Sequence, residues 1–284
     1  MDIKVSDIKD LREKTGAGMM DCKKALVETG GDAALAVEKL KEWGFAGVQK
    51  RFGRETKEGR IFIADSPSAI ALVEIACETD FVCRNADFIK GGERMAKIAL
   101  EKRLSASNPE LEEIVKDMAS VIKENISLKR VAFVAAGTGE YVHSYMHGEG
   151  RLGVVVHVKS DSAAAFSNPE IAALVHDLAL HIAAFKPVFV DQSRIGADWI
   201  AAQQEIFKQQ VEEDDKVKGK PANVIEGILA GKLKKRMTEN SLMDQGFVKD
   251  EKQTVKTVIE AAAKAAGVSF SVVDFVYSKV GEEE

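Results

Sequence analysis

The spacing of apolar residues divides the chain into regions of different period. Residues 1–44 read as three short helices. Ser6 is placed as a cap for the first, which carries Ile8 and Leu11. Thr15-Gly16-Ala17-Gly18 reads as a turn, and Met19 to Val27 as a second helix closed by Gly30-Gly31. Asp32 caps a third, with Leu35, Val37 and Leu40 expected inside and Gly44 as its stop. Residues 45–60 (FAGVQKRFGRETKEGR) are basic and weakly periodic, the signature of a linker.

From Ile61 the pattern turns to strands. Segments 60–65 and 69–77 predict a hairpin around Ser66-Pro67-Ser68. Helices are expected over 85–102 and 110–125. Strands are expected over 129–136, 140–146 and 152–159, and a helix opens at Asn168-Pro169-Glu170 and runs to about Phe185. Strand, hairpin, strand and helix thus occur around 60–102 and again around 140–185, with Ile70–Ile75 matching Leu152–His157 and GERMAKIAL matching VHDLALHIAAF. The expected product is two related lobes, each an antiparallel sheet covered by helices. After Lys186-Pro187, helices over 198–212 and 221–237 flank the acidic-then-basic break EEDDKVKGK and form a helical hairpin. A loop over 245–252, a helix over 254–266, a strand over 268–276 and a solvated GEEE tail complete the chain.

Composition narrows the function. The chain has 284 residues, 45% hydrophobic and 30% charged, with a net charge of −5. That suits a modular soluble protein and lacks the basic footprint of a nucleic-acid binder. No run approaches a membrane span, and the charged start MDIKVSDIKDLREK is not a signal peptide. Three cysteines, Cys22, Cys77 and Cys83, suit a reducing, cytoplasmic setting.

Catalytic constellations are missing. There is no phosphate-binding Gly-x-x-x-x-Gly-Lys-Ser/Thr loop and no His-Glu-x-x-His. Gly148-Glu149-Gly150-Arg151-Leu152-Gly153 precedes a strand, so it reads as a hairpin turn and fails the context of a dinucleotide site. His143 and His147 on a strand stand roughly 13 Å apart, too far for one metal ion. His176 and His181 share no helix face, and Glu74 and Glu78 are separated along a strand. No metal or cofactor is expected, and binding is the business that remains. Two stretches stand out. In Thr79-Asp80-Phe81-Val82 the phenylalanine either packs inward below a capped turn or serves as an exposed anchor for a partner's pocket. The equivalent turn of the second lobe, Ser160-Asp161-Ser162-Ala163, has no aromatic residue. Met19 and Met20 either fill the core or form an adaptable binding face.

These stretches resemble the signatures of the elongation factor Ts family. LREKTGAGMMDCKKAL at 11–26 and ETDFV at 78–82 carry the resemblance, joined by HGEGRLG at 147–153, HIAAFKP at 181–187 and GKLKKR at 231–236. It implies an α+β chain with a ubiquitin-associated-like three-helix domain (1–45) and a linker (46–59). Two core subdomains (60–139 and 140–186), a coiled-coil-like helical hairpin (187–240) and a C-terminal module completing the core (241–284) follow. It also implies a non-enzymatic guanine-nucleotide exchange factor for elongation factor Tu, with no cofactor. In this reading Thr79, Asp80, Phe81 and Val82 intrude near the partner's Mg²⁺ site. Arg12, Met19, Met20 and Lys23 make the N-terminal contact. His147 contacts another partner domain from the second subdomain or is an ordinary turn histidine. The helical hairpin either pairs two factors in a two-plus-two assembly with the GTPase or faces solvent. The rivals are an adaptor that holds the GTPase without exchange and a small-molecule enzyme using the GEGRLG turn.

Overall fold

The computed structural model describes residues 3–214, 217 and 220–282. Within the break at 212–220, residues 215, 216, 218 and 219 lie outside the described residues. So do Met1 and Asp2 of the charged start and Glu283 and Glu284 of the tail. The chain is α+β and groups into two compact units. One runs to Val134 and includes Met146–Gly153 and the end from Ser278. The other holds Ala135–Tyr145 and Val154–Tyr277.

The first unit opens with α1 (Val5–Thr15), α2 (Met19–Glu28) and α3 (Ala33–Arg51). Helix α1 begins one residue before Ser6, whose hydroxyl donates to Asp7 instead of capping. Gly16 ends α1 at φ 67° and donates its N–H to the Arg12 carbonyl. Asp32 does cap α3, accepting from Ala34 and Leu35 N–H at 2.8 and 3.1 Å. Ile8, Leu11, Cys22, Ala25, Leu26 and Ala36 form the bundle core, with Val37 and Leu40 against it. Leu35 is instead 52% exposed, because Ala36 takes the inward position.

After the bundle come β1 (Glu58–Ser66), β2 (Ala69–Cys77), α4 (Ala86–Lys102), α5 (Pro109–Ile122) and β3 (Ile126–Ala135). Gly44 does not stop α3. The helix runs on to Arg51, through half of the expected linker. The reason is packing: a Cβ at Gly44 would sit 2.7 Å from the Ser120 Cβ, so glycine lets α3 lie close on α5. Arg51 Nη2 donates to the Ala119 carbonyl at 3.0 Å, and Val48 packs on the core. Strands β1 and β2 pair antiparallel from Glu58↔Cys77 to Ser66↔Ala69, in a three-stranded sheet ordered β1-β2-β3. Strand β2 is buried along almost its whole length, and α4 and α5 supply Phe88, Met95, Leu111 and Met118 to its core.

The second unit contains β4 (Glu140–His147) and β5 (Leu152–Ser160), whose turn belongs to the first unit, then α6 (Pro169–Phe185), α7 (Ala197–Glu213) and α8 (Ala222–Asn240). It closes with β6 (Gly246–Phe247), β7 (Asp250–Thr254), α9 (Val255–Ala266) and β8 (Phe270–Lys279), and its sheet order is β4-β5-β8. The expected loop at 245–252 therefore carries the small antiparallel pair β6–β7, which its polar sequence concealed. The repeat is plain in detail. In each copy a hairpin leads into a 3₁₀ turn and an asparagine-capped helix of 17 residues. Each helix ends in a left-handed residue, Arg103 or Lys186. No helix among the described residues is long and apolar enough to cross a membrane.

His181 of α6 is buried and stacks on Phe185 and Phe247, with centroids at 4.7 and 6.1 Å. Its Nδ1 accepts the Val248 N–H at 3.1 Å, so the ring proton sits on Nε2, which donates to Gln245 Oε1 at 2.9 Å. Burial holds its pKa below the ordinary histidine value. The unfolded chain then binds the extra proton first, so this contribution to stability is complete above about pH 6.5 and declines as pH falls through it. Denaturant unfolding between pH 5 and 8 is expected to show a shallower pH slope for His181→Gln than for the unaltered chain. Equal slopes would remove His181 from the account.

Candidate functional site

The site is the junction between β2 and α4, and each residue entering it is held. Cys77 ends β2 fully buried. Glu78 Oε1 accepts the Asn125 N–H at 2.6 Å, and its carboxylate meets Arg54 Nη1 at 3.3 Å. Thr79 is clamped by one carboxylate: its N–H donates to Glu124 Oε2 at 3.0 Å and its hydroxyl to Glu124 Oε1 at 2.7 Å. Charge-assisted bonds of this kind fix orientation strongly. Val82 then opens a 3₁₀ turn with its N–H on the Thr79 carbonyl at 3.3 Å. Val82 is only 6% exposed and joins the core beside Cys77 and Phe88, so it anchors the turn and offers no contact surface. Asn85 closes the junction by capping α4 through Asp87 and Phe88 N–H.

With Thr79 and Val82 fixed on either side, Asp80 and Phe81 point outward. Phe81 is 81% exposed, so of the two alternatives the ring faces outward and does not pack inward below the turn. Its backbone, at φ −60° and ψ −37°, is unstrained. In the second lobe the residue leading into the 3₁₀ turn is Ser162. The fold therefore presents an aromatic ring at one of two equivalent positions, and burial does not account for it.

The turn between β4 and β5 supplies neighbours that sequence spacing did not reveal. Gly150, at φ 89°, accepts the Ile61 N–H at 2.7 Å, and a Cβ there would stand 2.8 Å from the Ile61 carbonyl oxygen. Arg151 ion-pairs with Glu58. Glu58 first, then the charges of Cys83 and Asp80, hold its pKa above the ordinary arginine value. The Gly148–Gly153 motif is thus a backbone turn seated on β1. His147, at its entry, is exposed. Cys83 lies 3.6 Å from Cys77, sulfur to sulfur. The neighbouring Cys77 thiol, helped by Arg151, brings the Cys83 thiol down to about 7, while Cys83 and burial push Cys77 up.

Elsewhere in this unit, Arg12 on α1 and Met19, Met20 and Lys23 on α2 all lie at the surface. Met19 is 37% exposed and Met20 74%, so neither fills the core. Asp21 between them and Lys23 pairs with Lys123 at 2.6 Å. In the second unit His143 meets His176 at 3.1 Å, a pairing across a strand and a helix that neither residue's local spacing suggests. Among the described residues no cluster of three or more His, Cys, Asp or Glu is arranged to hold a metal ion.

Comparison with known proteins gives a consistent result. Residues 78–282 match the family model described as elongation factor Ts. The chain is 44% identical over 281 residues to an elongation factor Ts from Treponema denticola, covering 99% of both chains. It is 40% identical over 282 residues to that of Borrelia hermsii, covering 99% of this chain and all of the relative. It is 39% identical over 280 residues to that of Borreliella burgdorferi, covering 98% of this chain and 99% of the relative.

Proposed function

The chain belongs to the elongation factor Ts family, and on that premise we propose that this translation elongation factor is a guanine-nucleotide exchange factor for elongation factor Tu. It binds the GDP-bound GTPase, disturbs the Mg²⁺ and phosphate site, and releases GDP so that GTP can rebind. It acts in the cytoplasm and carries out no bond-making chemistry of its own.

One observation supports this reading above the rest: an exposed phenylalanine on a turn clamped at both ends. Exchange is a linkage problem. A factor that binds the empty GTPase better than the GDP-bound one weakens GDP by the same ratio. The ring of Phe81 inserts between partner elements that position the metal. Mg²⁺ demands near-ideal octahedral geometry, so a small displacement weakens it. Asp80 competes for polar groups around that metal, and Thr79 and Val82 hold the turn while the ring bears load.

One ring is not enough. Burying a phenylalanine yields about 1.5–3 kcal/mol. Moving a two-state population from about 1:99 to 99:1 needs about 5.5 kcal/mol of differential affinity. Further contacts supply the rest. The bundle, the ubiquitin-associated-like element of this reading, contributes Arg12, Met19, Met20 and Lys23, and His147 adds a contact from the turn after β4. The hairpin α7–α8, with Ile206 and Val224 exposed, offers a surface for pairing two factors in a two-plus-two assembly.

The direct test is stopped-flow release of a fluorescent GDP analogue from elongation factor Tu with and without this protein. Acceleration is expected. Binding without acceleration would reduce the chain to an adaptor. Changing both Met19 and Met20 to Ser should weaken affinity for the GTPase several-fold with the melting temperature nearly unchanged, since exposed methionines leave no cavity. An equal collapse of stability would return them to the core.

A further inference from the structure

We infer that Cys77 and Cys83 form a peroxide-oxidisable dithiol, a covalent modification site that brackets the turn bearing Phe81. The two sulfurs are 3.6 Å apart, one at the end of β2 and one in the 3₁₀ turn. A disulfide needs about 2.05 Å, so closure asks for a movement near 1.5 Å. Their environments differ in the way a two-step oxidation requires. Cys83 is partly exposed and Cys77 is fully buried. Cys83 donates to the Gly59 carbonyl at 3.2 Å and lies where Arg151 favours its thiolate. Cys22, the third cysteine, is buried in the bundle with its sulfur 3.7 Å from the Ala17 carbonyl oxygen.

The chemistry balances with hydrogen peroxide or an alkyl hydroperoxide as oxidant. The Cys83 thiolate attacks the peroxide, the O–O bond breaks, and Cys83 becomes a sulfenic acid with release of hydroxide or alkoxide. Cys77 then attacks that sulfur. The S–S bond forms, the S–O bond breaks, and the Cys77 proton leaves with the sulfenic oxygen as water. The Cys83 hydrogen bond and burial keep Cys77 protonated, so it attacks as the thiol from 3.6 Å and gives its proton to the departing oxygen. A Cys77–Cys83 bond removes both S–H donors, including the Cys77 bond to the Thr79 carbonyl at 3.2 Å. The ring between the cysteines must then shift. That last consequence rests on the exchange reading; the modification itself does not.

The full-length reduced protein is treated with hydrogen peroxide at pH 6 and pH 8, quenched with maleimide in denaturant, which exposes the buried thiols, and weighed intact. The expected product has lost two hydrogens, carries one maleimide, forms faster at pH 8, gives a Cys77–Cys83 linked peptide and is reversed by dithiothreitol. Cys83→Ser, at the partly exposed position, should retain the fold and give no cross-link. Three maleimides on unchanged protein, or oxygen atoms added to Cys83 without a cross-link, would overturn the site. Oxidised protein should also lose most of its acceleration of GDP release, regained on reduction. A cross-link with undiminished acceleration would overturn the regulatory consequence alone. If reduced protein never accelerates release, the exchange reading fails while the cross-link result stands.

Discussion

Phe81→Ala is expected to slow factor-assisted GDP release by about tenfold to a hundredfold, the range that corresponds to the burial of one phenylalanine ring. The melting temperature should not move. The ring contributes little to this chain's own core, being mostly in solvent, and the turn below it is held by Glu124 and Val82. By linkage, the loss should also appear as weaker affinity for the nucleotide-free GTPase, in which the ring is seated, with little change for the GDP-bound form. Stopped-flow release at saturating factor, alongside a thermal scan, reads both. An unchanged rate would eliminate the ring as the wedge. A lowered melting temperature would show that it packs within the chain.

Phe88→Ala, seven residues on, is expected to do the opposite. Phe88 is fully buried, its ring tilted against Phe62 at 5.9 Å, and it sits in the first turn of α4 under β1 and β2. Removing such a ring costs about 3–5 kcal/mol through lost burial and the cavity left behind. That is a large share of the stability of an ordinary domain. Exchange should fail together with the fold, because α4 supports the end of the turn. Chemical denaturation would show a lower midpoint for Phe88→Ala and an unaltered one for Phe81→Ala. Similar midpoints would mean that the core around α4 closes over the cavity.

The difference between these two phenylalanines marks what was legible in the sequence. Short apolar runs around a Ser-Pro-Ser turn revealed β1 and β2, and Asn85 and Asn168 announced the helices they cap. The repeat was visible for the same reason. Sidedness at a turn was not, because no period exists there to assign Phe81 inward or outward. Gly44 read as a stop because a glycine that ends a helix and one that admits a neighbouring helix look alike locally. Strand β7, DEKQT, is exposed throughout and carries no apolar alternation to betray it. The clamp on Thr79 comes from Glu124, 45 residues away, and the thiol pair becomes a pair only when the turn closes. Local patterns specify elements; which side chains face one another across them is set by tertiary packing.

The ion pair between Asp21 of α2 and Lys123, the residue that ends α5, has a mechanical consequence. Met20 neighbours Asp21, Asp21 holds Lys123, and Lys123 adjoins Glu124, which grips Thr79 two residues before Phe81. Force applied at the methionine face therefore has a load path to the ring that passes through one surface ion pair and one carboxylate clamp. The ion pair is the compliant joint, worth no more than about 1 kcal/mol and softened by salt. The clamp is the stiff one. A spring and a rigid strut in series yield first at the spring, so under the proposed reading a grip at the methionines would settle on its partner while the tip keeps its aim.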